Sequence, residues 1–220
     1  MFTTEMFILM GESLLETLYM TLVAAAVSYV LGLPLGLILV VTDADGIRPN
    51  APVNRILGTI INALRSVPFL ILLFTVIPVT RFITGTTIGP TATIVPLTIA
   101  AAPFIARMVE SSVKEVDRGV IEASLSMGAS VLQIVWHVML PEALPSLING
   151  AAIATTTLLG YSAMAGICGG GGLGAIAINY GYYRGETDVM LVMVVILGLV
   201  VQLLQLIGER IARKTDKRIR

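Results

Sequence analysis

The sequence predicts an all-α integral membrane protein with five transmembrane helices, the N-terminus outside and the C-terminus inside. Three observations carry this. Hydrophobic residues make up 56% of the 220 and charged residues only 13%, and the mean hydropathy is +0.91, more apolar surface than a soluble domain of this size can bury. The charges are also kept out of long runs such as residues 17–42 and 143–183, and about 20 helical residues cross a hydrocarbon core of about 30 Å. Finally, five crossings place twelve Lys and Arg inside and only Arg81 and Arg184 outside, a strong positive-inside asymmetry. One membrane domain, residues 1–220, accounts for the length. The first basic residue is Arg48, so a secretory signal peptide is not expected, and a formal net charge of zero gives no case for nucleic acid.

Residues 1–16 read as a short amphipathic lead-in to helix 1, residues 17–42. Gly32 and Gly36 form a small-xxx-small pair around Pro34, which reads as close helix packing, with an intersubunit contact as the alternative. A polar turn over 43–52 leads to helix 2, from about Asn54 to Thr80. Only 15 uncharged residues separate Arg65 from Arg81, so Arg65 is expected to snorkel to an interface, with Asn62 and Ser66 on one polar face and a kink at Pro68. Helix 3 covers about 91–113 and ends with Arg107 and Glu110, three residues apart and able to pair. That pair reads as an interfacial ion pair without a role in transport.

After residues 110–145 the chain is uncharged for 41 residues, 143–183. Its first part reads as helix 4, from about Pro145 to Ile167. Its second part, rich in Gly, Asn and Tyr, reads as a re-entrant or interfacial stretch, since irregular backbone at membrane depth must be satisfied by protein or by water. Helix 5 covers 189–208, and a basic tail, IARKTDKRIR, follows.

The segment between helices 3 and 4 is the polar exception. Its small residues Ala123, Ser124, Ser126, Ala129 and Ser130 make a short helix of low relief, and Gly128 suits a helix C′ position, where the left-handed conformation carries no Cβ strain. Ser130 with Gln133 fits a capping box, so a second helix should start there and run to Leu140, where Pro141 disfavours continuation. The bland alternative is an ordinary amphipathic connector.

Catalytic chemistry is poorly represented. The GGGGLG run at 169–174 is not followed by Gly-Lys-Ser/Thr and is no P-loop, so the chain is not expected to hydrolyse ATP. Cys168 and His137 are single residues of their kind, which gives no metal, disulfide or nucleophilic set. Apart from Glu110 at the end of helix 3 the spans hold no acidic residue, so none is expected at membrane depth, whereas most ion-coupled carriers need some.

The spacing Glu122-Ala123-Ser124, Gly128, then Val138-Met139-Leu140-Pro141 resembles the cytoplasmic loop by which membrane subunits of ABC importers grip their ATPases. Together with Arg65 to Phe69 (RSVPF), AAPFIARMVE ending at Glu110, LPEALP at 140–145, GYSAM at 160–164 and the GGGGLG run, the chain from about Asn54 onward is similar to the methionine ABC transporter permeases. Ser124 and Val138 depart mildly from the commonest forms. The resemblance implies a type I importer permease fold in a bacterial inner membrane and a homodimer bound to two ATP-binding subunits. It also implies an extracytoplasmic methionine-binding lipoprotein, with ATP and magnesium held by the ATPase and no cofactor in this chain. It assigns ATPase coupling to Glu122, Ala123, Ser124, Gly128, Leu140 and Pro141 within a loop of about 115–143, with the Glu122 carboxylate meeting a basic group of the ATPase. Helix 4 then offers a polar surface for a small zwitterion: Thr155, Thr156, Thr157, Tyr161 and Ser162, with Met164 as a flexible gate near a two-fold axis. The alternative is that the threonines bond back to their own helix and Met164 packs in the core. A permease for another small amino acid and, from a different class, a stand-alone channel or carrier are the rival readings.

Overall fold

The computed structural model describes residues 4–216. In chain order it contains α1 (Thr4–Thr42), α2 (Ala51–Ser66), α3 (Phe69–Thr75), α4 (Ile77–Thr84), α5 (Pro90–Lys114), α6 (Arg118–Ser126), α7 (Val131–Ile134), α8 (Leu140–Gly166), α9 (Gly172–Ile176) and α10 (Thr187–Thr215). A wider π turn, Val135–Met139, joins α7 to α8, and another, Ala177–Tyr182, extends α9. Four helical stretches are long and apolar enough to cross a membrane, Thr4–Thr42, Pro90–Lys114, Val131–Gly166 and Thr187–Thr215, and there are five if the bent pair α2 and α3 counts as one.

The centre is α5. Two-thirds of its most apolar window (67%) is buried, against 6% for α10, so α5 is the core helix and α10 the peripheral one. Close approach of α1 to α5 follows from the two glycines of α1. A Cβ on Gly32 would lie 2.8 Å from the Ala102 carbonyl oxygen, and one on Gly36 would lie 2.7 Å from Val109 Cβ. The small-xxx-small pair therefore packs within the chain, as small residues do where membrane helices meet closely. Met20, Ala24, Leu97, Ile105, Val109, Ile134, Met139 and Leu158 continue this core into α8 and the loop.

The glycine-rich stretch is a second close contact. Gly169, Gly171 and Gly172 have φ of +84°, +79° and +74°, a left-handed region that glycine enters without a Cβ clash. The turn they make folds α9 back onto α8 and α1. The backbone N–H groups of Gly172 and Leu173 donate to Glu16 Oε2 (2.8 Å) and Thr17 Oγ1 (2.9 Å), so donors that lipid would leave orphaned are met from α1. A Cβ on Gly174 would sit 2.6 Å from Ala163 Cα.

Three expectations need correction. The lead-in over 1–16 is not separate: from Thr4 it is the first part of α1, and only 1–3 lie outside the described residues. Helix 2 is broken, with α2 and α3 meeting at 102°. Val67, pushed out of the helical region by the following proline, is extended (φ −80°, ψ 124°), which ends α2 outright where a kink was expected. Pro141, finally, does not end the loop helix. The π turn before it shifts the hydrogen bonds, Leu140 N–H donating to the Val135 carbonyl, and this wider turn accommodates a proline that lacks a donor. Helix 4 thus begins at Val131 and runs to Gly166 as one rod of 36 residues. The basic tail extends α10 to Thr215, and 217–220 lie outside the described residues.

Gly174→Ala should lower the thermal midpoint of the detergent-solubilised protein, because overpacking a tight contact costs about 1–3 kcal/mol. Gly198→Ala, in α10 with nothing within 4 Å of its would-be Cβ, should leave the midpoint unchanged or raise it. Equal midpoints for the two variants would contradict the close packing of α9 on α8.

Candidate functional site

The loop between α5 and α8 is fixed by three caps. At its start Asp117 Oδ1 accepts from Gly119 N–H at 2.7 Å, capping α6. At the end of α6, Gly128 takes φ +81°, Gly128 N–H donates to the Leu125 carbonyl (2.9 Å) and Ala129 N–H to the Ser124 carbonyl (3.1 Å). Those two bonds are the Schellman pattern expected of a glycine at C′. Ser130 and Gln133 then form a reciprocal capping box, Ser130 N–H to Gln133 Oε1 at 2.8 Å and Gln133 N–H to Ser130 Oγ at 3.4 Å. Hydrogen bonds made within the loop, from capping side chains and from the Gly128 turn, therefore hold a helix–turn–helix in place.

The predicted loop residues sort by exposure. Glu122 and Ala123 are exposed, while Ser124 is buried and donates back to the Val120 carbonyl of its own helix at 2.8 Å, so Ser124 lies on the inner face of α6 and Glu122 on the outer one. Gly128 is exposed, with open space around its would-be Cβ. Leu140 is half-buried and Pro141 exposed at the first turn of α8. Sequence reasoning passed over the apolar part of the surface: Met127 is 80% exposed, Leu132 68% and Trp136 57%. Leu132 and Trp136 are four residues apart and share a helix face, a spacing visible in the sequence.

A cleft of about 500 Å³ separates α6 from the turn after α1, with Asp43, Asp45, Lys114, Arg118 and Glu122 on its walls. Charges bridge its sides. Lys114 Nζ lies 2.6 Å from Asp43 Oδ2 and 2.9 Å from Glu110 Oε1, and Arg118 lies 3.1 Å from Asp45. Glu110 also takes Arg107 Nη1 on its other oxygen at 2.6 Å, and Arg107 Nη2 reaches Asn62 Oδ1 (3.0 Å) and the Gly58 carbonyl (3.2 Å) of α2. The hydrogen bond from Lys114, and after it the one from Ala44 N–H, holds the Asp43 carboxyl below its ordinary pKa of 3.8. A depressed carboxyl stabilises the fold above its unfolded pKa, and this contribution is lost as pH falls through the folded value.

The proposed pathway residues on α8 fall in two groups. Thr155 bonds back to Ala151, and Thr156 and Thr157 both bond back to the Ile153 carbonyl, at 2.8, 3.0 and 2.8 Å, as the plain reading of this run has it. Ser162 is fully buried, donating to the Leu159 carbonyl at 2.7 Å and accepting from Thr21 Oγ1 of α1 at 3.5 Å, so within this chain it joins helices. Met164 is 37% exposed. Tyr161 stacks flat on Phe69, with centroids 4.7 Å apart and planes at 2°, which brings the RSVPF and GYSAM stretches together where the broken helix meets α8.

Residues 32–220 match the family described as "Binding-protein-dependent transport system inner membrane component". The chain is 53% identical over 203 residues to the probable D-methionine transport system permease protein MetI of Vibrio cholerae, covering 92% of this chain and 90% of that one. It is 46% identical over 216 residues to the probable D-methionine permease of Pasteurella multocida, covering 98% and 100%. A chain from a structure titled "Inward facing conformations of the MetNI methionine ABC transporter" superposes with a TM-score of 0.96 at 49% identity over 98% of this chain and 100% of that chain. A chain of an amino acid ABC transporter, 20% identical with a TM-score of 0.77 over 96% and 95%, shares the fold. By its loop, its helix order and these likenesses, the chain belongs to the family of binding-protein-dependent transport system inner membrane components.

Proposed function

We propose that this chain is the methionine-translocating permease subunit of an ATP-driven importer in the bacterial inner membrane, working as a homodimer. Each copy presents the loop of about 115–143 to one of two separate ATP-binding subunits, which hold the ATP and magnesium. An extracytoplasmic methionine-binding lipoprotein delivers the substrate. The N-terminus lies outside and the tail inside, with α2 and α3 together making the second of five crossings. The observation that carries this reading is the helix–turn–helix at 117–133, whose helices are capped from within the loop while Glu122, Met127 and Leu132, and Trp136 just beyond it, stay open. A preorganised convex element with an apolar patch and a carboxylate has the chemistry of a docking surface.

The mechanism follows from continuity. The rod Val131–Gly166 has 36 residues, about 54 Å at 1.5 Å per residue, so a displacement imposed at α6 and α7 is carried as a lever to Tyr161 and Met164. In a two-fold dimer those positions occur twice and close one passage, and Met164 is flexible enough to seal against an apolar side chain and yield to it. The run 143–183 that carries both positions has no charged residue, and a zwitterion is released faster from a passage that does not bind it tightly.

Single cysteines at Asp45 and Ser126 in a Cys168→Ser background should react with impermeant thiol reagents only from the cytoplasmic side, and one at Thr86 only from outside. Labelling of Asp45 and Thr86 positions from the same side would overturn the five-crossing topology. Gly128→Val should insert normally yet lose methionine uptake in proteoliposomes by roughly ten-fold or more, since a β-branched residue is strained at positive φ. Gly128→Asn, which tolerates the left-handed region and has room there, should keep most of the uptake. Normal uptake by the valine variant would remove the loop from its role.

A further inference from the structure

We propose that Glu110 is a positioning residue that ties the coupling loop to the broken helix α2–α3, so that a movement of the loop is delivered to the pathway. The inference rests on the reading of 115–143 as the ATPase-docking loop. Glu110 bridges two cations with separate oxygens, Lys114 on Oε1 at 2.9 Å and Arg107 on Oε2 at 2.6 Å. Its side chain is only 12% exposed. Each cation then leaves α5 in a different direction. Lys114 reaches Asp43 in the turn after α1, and that turn is tied through Asp45 to Arg118, the first residue of α6. Arg107 reaches Asn62 and the Gly58 carbonyl of α2, in the helix that breaks at Pro68 before Phe69 stacks on Tyr161. Contacts thus lead from the loop through the exposed Arg118–Asp45 pair, Asp43 and Lys114 to Glu110, and from Glu110 through Arg107 to α2.

Two features separate this network from an ordinary interfacial ion pair. It joins four elements, α1's turn, α2, α5 and α6, where a plain helical pair at three or four residues' spacing would join one helix to itself. It is also incompletely satisfied: Arg107 Nε is buried without a hydrogen-bond partner among the described residues. A buried donor left open is uncommon in a region shaped only for stability. Coupling of this kind requires an element with two arrangements that both ends bias, and the proposal assigns that part to the α2–α3 break, where the helix is already interrupted and bent by 102°.

The test uses the complete complex, this chain with its ATPase and the methionine-binding protein, in proteoliposomes, with methionine uptake and ATP hydrolysis measured on the same sample. Glu110→Gln and Lys114→Gln should co-purify with the ATPase and hydrolyse ATP, but methionine moved per ATP should fall by roughly five-fold or more, the lower end of allosteric coupling. Lys114→Arg, which keeps the charge between Asp43 and Glu110, should recover most of that ratio. If Glu110→Gln fails to accumulate, Lys114→Gln, at the exposed edge of the network, decides by the same criterion. An unchanged ratio in the glutamine variants overturns the proposal, and so does a fall in uptake and hydrolysis in fixed proportion. If the parent chain itself binds no ATPase, it is the docking reading that fails, and that outcome is visible before any variant is compared.

Discussion

The contact of α1 with α5 at Gly32 and Gly36 is the constraint on which the remaining geometry depends. Lipid gives helices no hydrophobic reason to associate, so packing at backbone distance has to supply the attraction. Because the would-be Cβ positions of both glycines point at the backbone or side chains of α5, α5 is held in the centre and its end is placed beside the turn at 43–47. The charged network around Lys114 hangs from that end. Lys114 and Glu110 are on its last turns, the loop begins four residues later, and Ile134 and Met139 pack back against Val109 and Val113 to seat α7 and α8.

The loop illustrates a division of labour between backbone and side chains. Its shape is set by Asp117, Gly128 and the Ser130–Gln133 pair, all of which spend their hydrogen bonds on the loop itself. Its outer side chains are consequently free of structural duties. Ordering a surface before a partner arrives reduces the entropy lost on binding, which suits the docking role proposed for this loop.

Much of this was legible in the sequence. Gly128 at C′, the capping box, the extent of helix 3 and the Arg107–Glu110 pair are local features, decided within three or four residues, and local propensity reports them faithfully. What the sequence did not reveal depends on neighbours distant along the chain. The break at Pro68 and the passage through Pro141 look alike in sequence, one residue type in an apolar run. In the first case Val67 turns extended and the helix stops, whereas in the second a π turn absorbs the missing donor. Propensity cannot choose between those two responses to proline. Likewise Ser162 reads as a polar surface position until α1 brings Thr21 beside it, and the glycine run reads as irregular backbone until Glu16 and Thr17 supply acceptors for α9. The Lys114–Asp43 bridge, 71 positions apart, leaves no periodic trace at all.

The account turns on whether the surface around Met127 is where an ATPase binds. A photo-reactive amino acid placed at Met127, 80% exposed at the turn of the loop, with a second at Phe82, 90% exposed near the end of α4, measures this directly in native membranes. The expected result is a cross-linked product with the ATP-binding subunit from position 127 and none from position 82. Absence of that product at 127, with the importer active in the same membranes, would contradict the assignment of this loop.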